Sequence, residues 1–242
     1  MSTFRLDKYL ADAGIGTRSE IKNYIKKGYV TVNGEPTKKP DIKISPDDDE
    51  IVFQNQPISL SEFEYYLLNK PAGYVSATKD NTAPTVLTLI DSKRKDLFPV
   101  GRLDKDTEGL LIITNDGALS HRLLSPKRHV DKTYFAIVDG IVTKADVTLF
   151  EKGLEIGDDD LDIAMPAQLI IEKIDPEQNI SHVTITIQEG KFHQVKRMFQ
   201  AVEKKVLYLK RIAFGPIALP HDLPLGDSRI LSKEEISMLQ KF

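Results

Sequence analysis

The chain has 242 residues with 40% hydrophobic and 29% charged side chains, a size and mixture typical of a soluble globular protein with two domains. It contains no cysteine, which excludes a disulfide framework, a thiolate metal site and a cysteine nucleophile, and which favours a cytoplasmic location. The net charge of −3 argues mildly against a nucleic-acid partner, and the sequence has neither an apolar run that could span a membrane nor a secretory signal.

The first 58 residues are predicted to form a small α+β domain. A first helix is indicated by apolar residues at helical spacing, namely Leu6, Tyr9, Leu10 and Ala13. A capping box of Thr17 and Glu20 predicts the start of a second helix, and Gly28 fits its left-handed end. The Asn33-Gly34 pair then predicts a hairpin turn after a short strand.

Basic residues dominate this domain. Between residues 1 and 43 there are nine Lys/Arg and five Asp/Glu, a local net charge of +4 that the acidic run over 47–50 cancels in number. Arg18, Lys22 and Lys26 recur every four residues and therefore form one stripe along the second helix. Such a stripe is typical either of a solvated helix face or of a surface that binds nucleic acid.

Residues 57–61 are predicted to be a linker, and the chain from residue 62 onward to be a larger, strand-rich domain. Strands are predicted over 65–68, 110–113, 133–138 and 183–188, and helices over 193–201 and after the capping residue Ser232. Because strands and helices are interspersed without a regular β-α-β order, the sequence favours an α+β fold with a mixed sheet over a doubly wound fold.

The densest group of charged residues lies over 101–109, directly before an apolar strand. Asp104, Asp106 and Glu108 have the spacing of a calcium loop, but Asn115 occupies the position that requires a bidentate glutamate, so a calcium site is disfavoured. Arg102 lies two residues from Asp104, and cationic neighbours favour the ionised form of a carboxylate. Asp104 is therefore either a nucleophile or general base at the mouth of the sheet, or a residue that closes the loop.

A second basic segment covers residues 190–211. It holds seven Lys/Arg against Glu203 alone, a local net charge of +6, and includes Phe192 and His193. This composition is typical of a surface that binds phosphates and stacks bases, although a solvated amphipathic helix shares it. The overall charge of −3 is thus an average over basic segments and acidic ones such as 158–162. The chain has no HExxH motif, phosphate-binding glycine loop or nucleophile elbow, so no metal site and no nucleotide cofactor are predicted.

Several segments together resemble one enzyme family. The residues similar to an S4 RNA-binding domain lie over 5–10, 17–18 and 28–34. Residues 101–111, which begin Gly-Arg-Leu-Asp, resemble the catalytic motif of the RsuA/RluB/E/F-type pseudouridine synthases, and further motifs of that family are matched over 68–74, 132–134 and 189–198. The resemblance implies a small S4-like α+β RNA-binding domain over residues 1–58, then a pseudouridine synthase domain over 62–242 with a mixed, mainly antiparallel sheet.

The resemblance also implies the reaction and the residues that perform it. A pseudouridine synthase breaks the N1–C1′ bond of a uridine and rejoins the uracil through C5, without a cofactor. Asp104 would be the essential aspartate, which either adds to C6 of the base or removes the C2′ proton. Arg102 would hold the distorted RNA, Tyr134 would face the extruded uracil, and Lys196 would pair with Asp104. Leu68, Val195 and His193 would line the substrate pocket, and the RNA-binding residues would be Arg5, Lys8, Arg18, Lys22, Lys26, Lys27, Lys191 and Arg197.

The segment 193–198 is similar to the members of the family that act on small-subunit rRNA. The implied substrate is 16S rRNA, free or in a small-subunit assembly intermediate, with the uridine at the family's site U516. Two alternatives stay open, namely the same reaction on 23S rRNA and a ribosome-assembly factor that binds RNA without catalysis. A monomer without a membrane partner is expected, because nothing in the sequence demands a larger assembly.

Overall fold

The computed structural model describes residues 3–46, 48–58, 63–157 and 162–242. Parts of the predicted linker and of both acidic runs therefore lie outside the described residues. By its contacts the chain divides into two compact units. The first contains Met1–Glu64 with Asp91–Leu97, and the second contains Tyr65–Ile90 with Phe98–Phe242. No helix in the described ranges is long and apolar enough to cross a membrane.

The first unit contains two helices and six short strands within the described residues. In chain order these are β1 (Phe4–Arg5), α1 (Leu6–Asp12), α2 (Arg18–Lys26), β2 (Val30–Val32), β3 (Glu35–Pro36), β4 (Lys43–Ile44), β5 (Ile51–Phe53) and β6 (Gln56–Ile58). Strands β3, β2, β5 and β6 form an antiparallel sheet in that order, and β1 pairs with β4. The core is the buried apolar face of the two helices against β2, β4 and β5, with Leu6, Leu10, Ile21 and Ile25 fully buried.

Local sequence signals account for these elements. The Thr17 hydroxyl accepts a hydrogen bond from the backbone N–H of Glu20 at 3.3 Å, and the Glu20 carboxylate accepts one from the Thr17 N–H at 2.7 Å, so the predicted capping box is confirmed. Asn33 and Gly34 have φ angles of 53° and 81°, the left-handed values that a two-residue hairpin turn requires. The predicted turn between β2 and β3 is therefore confirmed.

The segment Asp91–Leu97 belongs to the first unit although it follows the start of the second unit in sequence. Arg94 is buried there and pairs with Asp96 at 2.8 Å. The backbone N–H of Lys95 donates to the carbonyl of Asp12 at 3.3 Å. The sequence did not predict that these residues belong to the first unit, because the composition of seven residues does not reveal which distant segment they pack against.

The second unit is built on one large sheet. Its strands and helices are β7 (Tyr65–Lys70), β8 (Phe98–Pro99), β9 (Glu108–Thr114), α3 (Gly117–Leu124), β10 (Lys132–Asp139), α4 (Lys144–Lys152), β11 (Leu154–Glu155), β12 (Ile163–Ala164), β13 (Gln168–Asp175), β14 (Ile180–Ile187), α5 (Gln194–Ala201), β15 (Lys205–Phe214), β16 (Ile217–Ala218), β17 (Ser228–Ile230) and α6 (Lys233–Leu239). The main strand order is β13-β14-β10-β15-β9-β7-β17. Within the described strands, β9 and β15 form the one parallel pair of this sheet, and its other neighbours are antiparallel.

The α+β class and the mixed, mainly antiparallel sheet are confirmed. The predicted strands correspond to β7, β9, β10 and β14, and the predicted helices to α5 and α6. Leu110 and Ile112 of β9 pack against α3 and α6 in the core, while the side chains on the opposite face of β9 are also buried. This burial on both faces explains the unbroken apolar run that marked β9 in the sequence.

One prediction about the second basic segment is wrong in part. Its composition predicts a basic surface, but the last residues of the segment lie in β15, and Arg211 is buried there. Nε of Arg211 donates to the carbonyl of Leu110 at 2.7 Å, and the guanidinium lies 5.1 Å from the ring centroid of Phe214. The local charge of +6 is therefore not all available to a ligand.

Candidate active site

The pairing of the central strands brings distant parts of the chain to one place. Across β10, β15, β9 and β7, the strand register aligns Tyr134 with Arg211, Arg211 with Gly109, and Gly109 with Lys70. The loop that precedes β9 and helix α5, which precedes β15, meet because β9 and β15 run parallel. This topology places the Asp104 loop beside α5.

Gly109 permits this arrangement. Its φ angle is 101°, and a Cβ atom at this position would lie 2.2 Å from the carbonyl oxygen of Arg211. Any side chain here would push β9 away from β15, because the contact is with backbone rather than with a movable side chain. The glycine that follows the acidic loop is therefore required by the close approach of the two parallel strands.

The Asp104 carboxylate lies beside Lys196 of α5 and beside His193, the residue that precedes this helix. Nζ of Lys196 is 3.0 Å from Oδ2 of Asp104, and Nε2 of His193 is 3.7 Å from Oδ1. Lys196 also contacts Asp106, with 2.6 Å between Nζ and Oδ1. The ammonium group thus bridges two carboxylates of the same loop, of which the sequence predicted only Asp104 as its partner.

The contacts within this cluster shift the pKa values of Lys196 and Asp106 toward their charged forms. Burial lowers the pKa of Lys196, but its hydrogen bonds to Asp106 and Asp104 outweigh that effect and leave the pKa above its usual value. Burial raises the pKa of Asp106, but the hydrogen bond from Lys196 and the positive charge of its ammonium group, with smaller contributions from a backbone hydrogen bond and His193, together lower the pKa below its usual value. Lys196 therefore stays protonated at neutral pH and holds both carboxylates.

Two adjoining cavities surround Asp104. The larger has a volume of about 750 Å³ and is lined by residues that include Arg102, Asp104, Lys105, Phe192, His193 and Lys196. The smaller, about 70 Å³, shares Arg102, Asp104, His193 and Lys196 with it and adds Tyr134 and Val195. Arg102 is exposed and has no ion-pair partner among the described residues, so its guanidinium is available to a ligand. A space of this size can hold an extruded nucleotide.

The backbone of the Asp104 loop is held by a buried lysine. Nζ of Lys70, at the end of β7, donates to the carbonyls of Pro71, Asp104, Lys105 and Thr107 at 3.1, 3.0, 3.4 and 2.7 Å. The hydroxyl of Ser76 donates to the carbonyl of Leu103 at 2.9 Å and accepts from its N–H at 3.0 Å. These contacts fix the loop that carries Asp104, and sequence reasoning missed both residues. The available signal was a lysine that closes an otherwise apolar strand.

The predicted pocket residues are not all at the cavities. Val195 and His193 line them, but Leu68 does not belong to the residues that line either one. Leu68 is fully buried in β7 opposite Leu111. Side chains alternate along a strand, so Leu68 and Lys70 lie on the same face of β7. Lys70 is nearer the loop that carries Asp104 and occupies the position beside that loop. The prediction for Leu68 is corrected accordingly.

The predicted RNA-binding residues fall into two groups. Four are exposed on or next to α2 and have no ion-pair partner among the described residues, namely Arg18, Lys22, Lys26 and Lys27. The other four are engaged by carboxylates: Arg5 pairs with Asp7, Lys8 with Asp12, and both Lys191 and Arg197 with Asp162. No group of three or more histidine, aspartate or glutamate side chains suited to a metal ion occurs within the described residues.

Comparison with known proteins identifies the family. Residues 64–201 match the family described as RNA pseudouridylate synthase, and residues 4–50 match the S4 domain. The chain belongs to the RNA pseudouridylate synthase family. The resemblance inferred from the motifs and the prediction of an RNA-modifying isomerase are confirmed.

Relatives of this pseudouridine synthase match it over nearly its whole length. An uncharacterised RNA pseudouridine synthase of Bacillus subtilis, YtzG, is 42% identical over 239 residues, which are 98% of each chain. The ribosomal small subunit pseudouridine synthase A of Escherichia coli K12 is 39% identical over 235 residues, 96% of this chain and 98% of that one. A crystal structure of a pseudouridylate synthase matches the fold with a TM-score of 0.68 at 36% identity, over 98% of this chain and 99% of the other.

Proposed function

We propose that this synthase converts one uridine of 16S rRNA, at the family's site U516, to pseudouridine, with Asp104 as the essential residue. The observation that carries the proposal is the Asp104 carboxylate, which Lys196 contacts at 3.0 Å beside a cavity of about 750 Å³. The choice of 16S rRNA is supported by the relative from Escherichia coli, which is named for the ribosomal small subunit. Because the proposed substrate is ribosomal RNA, we expect the enzyme to act in the cytoplasm. We also expect a monomer, because nothing in the sequence demands a larger assembly.

The reaction conserves all atoms of the nucleotide. The N1–C1′ bond breaks, the uracil turns, a C5–C1′ bond forms, C5 loses its proton and N1 gains one. Asp104 either adds to C6 of the uracil or removes the C2′ proton to give a glycal. Both routes need the carboxylate within about 3 Å of the reacting atom, and the contact with Nζ of Lys196 at 3.0 Å holds it in place at the cavity.

The neighbouring side chains have distinct proposed roles. Tyr134 lines the smaller cavity with Asp104 and offers a ring face to the extruded uracil and a hydroxyl for the proton of C5. Arg102 lines both cavities, and its exposed guanidinium contacts a phosphate or ribose of the distorted strand. His193 and Val195 complete the wall of the smaller cavity.

The test compares the two carboxylates that share Lys196. We expect Asp104→Asn to abolish pseudouridine formation while RNA binding survives, because the amide can neither attack nor accept a proton. The matched variant Asp106→Asn removes the more exposed carboxylate, with 73% of its side chain accessible, and we expect it to lower turnover less than about tenfold. Turnover is measured as tritium release from 16S rRNA labelled at C5 of uridine, and binding by filter retention.

Different outcomes separate the alternatives. Full turnover in Asp104→Asn contradicts the role of Asp104. Mapping of pseudouridine in both rRNAs from a strain without the gene tests the substrate, and a loss confined to 23S rRNA contradicts the 16S assignment. If both rRNAs keep all their pseudouridines while small subunits assemble poorly, the protein is a non-catalytic assembly factor. Parallel assays on free 16S rRNA and on assembly intermediates identify the form that is modified.

A further inference from the structure

An exposed aromatic ring stands at the wall of the larger cavity. Phe192 is 76% exposed, the highest value among the exposed large hydrophobic residues of the described chain. It lines the cavity together with Asp104. Its ring stacks on the ring of His193, with the centroids 3.8 Å apart and the planes 21° from parallel, and Nε2 of His193 is 3.7 Å from Oδ1 of Asp104.

The backbone under this ring is held in place on both sides. His193 has a left-handed φ of 50° and begins α5. The carbonyl of Phe192 accepts a hydrogen bond from Nη1 of Arg197 at 3.3 Å, and the N–H of Lys191 donates to Oε1 of Gln194 at 2.9 Å. The exposed position of Phe192 is therefore fixed by its neighbours, so the ring is presented toward the cavity rather than left to collapse onto the protein.

The chemistry around the ring identifies what it binds. Arg102 and Lys105 line the same cavity as Phe192 and have no ion-pair partner among the described residues, whereas Lys196 is paired there with Asp104 and Asp106. A flat apolar face therefore lies near two cations that are available to a ligand. Aromatic faces beside positive charges are the arrangement that binds single-stranded nucleic acid, since bases stack on the ring and the cations contact the backbone. A uridine that leaves its stack to reach Asp104 also leaves its neighbouring bases with one face uncovered.

We propose that Phe192, supported by His193, stacks on the base next to the uridine that reacts at Asp104. This proposal rests on the proposed function and adds a residue that positions the substrate. The extruded uridine occupies the cavity, and the ring covers the face of the flanking base that the uridine has vacated. Phe192 thereby contributes to the choice of the nucleotide that is modified without touching the reacting atoms.

The first test uses kinetics with two variants and matched RNA substrates. We expect Phe192→Ala to raise KM by about 5- to 150-fold with a smaller effect on kcat, because that is the range of one base–aromatic stack, and Phe192→Trp to keep KM near the wild-type value. The substrates are a 16S rRNA fragment and two versions with an abasic nucleotide on the 5′ or on the 3′ side of the target uridine. When the abasic nucleotide lies on the side that Phe192 contacts, wild type and Phe192→Ala should have the same KM. When it lies on the other side, the KM of Phe192→Ala should remain higher than that of wild type.

A control and a binding measurement complete the test. Ile230→Ala removes another exposed hydrophobic side chain, 69% accessible and outside the cavity, and should change neither constant. With 2-aminopurine as the flanking base, binding to Asp104→Asn should quench the fluorescence, and binding to the double variant Asp104→Asn/Phe192→Ala should not.

Two results would overturn the proposal. An unchanged KM in Phe192→Ala overturns it. A loss that persists with both abasic substrates also overturns it, because the ring then contacts the target uracil or acts only on the fold. Failure of the proposed function is a separate result, since wild-type enzyme would then form no pseudouridine in the unmodified fragment.

Discussion

Lys70 is a buried cation bonded to backbone carbonyls instead of a carboxylate. Burial lowers its pKa to about 8, although the nearby Asp106, Glu108 and Asp104 act in the opposite direction. Lys132 is a second buried lysine with a pKa lowered to about 8, mainly by burial, and its Nζ donates to the carbonyls of Val130 and Gln188. The two lysines have similar electrostatics, but only the first is bonded to the Asp104 loop.

This difference yields a prediction for Lys70→Met. Between pH 8 and 10.5 the unfolded chain holds a proton on Lys70 that the folded chain has lost, so the free energy of unfolding should rise with pH by up to about 3 kcal/mol. Lys70→Met should remove the part of this pH-dependent rise in the free energy of unfolding that the titration of Lys70 causes. Urea denaturation at pH 7, 9 and 10.5 measures it. It should also lower turnover at pH 7, because the loop carbonyls lose their donor.

Lys132→Met is the matched control for this experiment. It should remove a similar share of the pH dependence and leave turnover less affected, because its carbonyl partners lie outside the loop. A Lys70→Met protein that keeps the full rise in stability, or that is as active as Lys132→Met, would contradict the role given to Lys70.

Among single residues, the sequence indicated the proposed reacting group, Asp104, but not the residues that hold its loop. Asp104 lies in a motif that can be read in sequence, and Lys196 was named as its partner. Lys70 was missed because its partners are backbone carbonyls, which every residue has and which leave no pattern. Leu68 was misplaced because a family motif gives an order of residues and not the face of a strand.

Helix α5 and strand β12 are linked by an acidic residue that occupies two candidate RNA contacts. Asp162 accepts from Nζ of Lys191 at 2.8 Å and pairs with Arg197, and both hydrogen bonds lower the pKa of its carboxyl group. A phosphate of the RNA would bind the same two cations. In the free protein, binding at this place therefore competes with Asp162.

We expect Asp162→Asn to strengthen RNA binding and to steepen its dependence on salt. Two more phosphate contacts would increase the slope of log K against log salt by about 1.4 for a single strand. Asp175→Asn removes an equal charge from β13 and serves as the control. The slopes come from the RNA affinity of the Asp104→Asn protein, with and without each of these changes, measured between 50 and 300 mM salt. Equal slopes in the two variants would show that Lys191 and Arg197 do not contact phosphates.

Elements with local signals were predicted, and those that depend on distant contacts were not. Helix α6 is capped by Ser232, whose hydroxyl accepts a hydrogen bond from the N–H of Glu235, as the sequence predicted. The sequence did not predict strand β15, because Lys205, Lys210 and Arg211 give its segment the composition of a basic surface and not that of an apolar strand. The parallel pairing of β9 with β15 joins segments about a hundred residues apart in the register of Lys210 with Glu108. No local pattern specifies such a contact.

For the whole molecule, the net charge of −3 conceals an uneven distribution. Arg18, Lys22 and Lys26 are exposed on α2, whose buried residues are Ile21 and Ile25. None of the three has an ion-pair partner in the described part of the chain, unlike Lys191 and Arg197. We infer that this stripe supplies affinity for the RNA backbone while the second unit selects the uridine.

Changing Arg18, Lys22 and Lys26 together to alanine tests the stripe. RNA affinity should fall and the salt slope should decrease by about 2, while kcat at saturating RNA should stay close to wild type. A protein with Lys144, Lys152 and Lys173 changed to alanine loses the same total charge from exposed positions in the second unit and is the control. If both triple variants lose the same affinity, the effect belongs to net charge and not to the stripe.

The two-unit organisation was predicted from length and motifs, but its connectivity was not. A single linker over 57–61 was expected, whereas residues 91–97 return to the first unit. One contact that joins this segment to the rest of the first unit is the hydrogen bond from the N–H of Lys95 to the carbonyl of Asp12, and a backbone contact of this kind leaves no pattern in the sequence.

Because residues 91–97 belong to the first unit, the polypeptide passes between the units at three points and not at one. An RNA-binding module attached by one connection can be gained, lost or exchanged as a cassette by recombination at that connection. Here such an exchange would strip the incoming module of the segment that packs beside Asp12 and would leave buried Arg94 without its surroundings. A graft of the first unit onto another protein therefore has to carry Asp91–Leu97 together with Met1–Glu64.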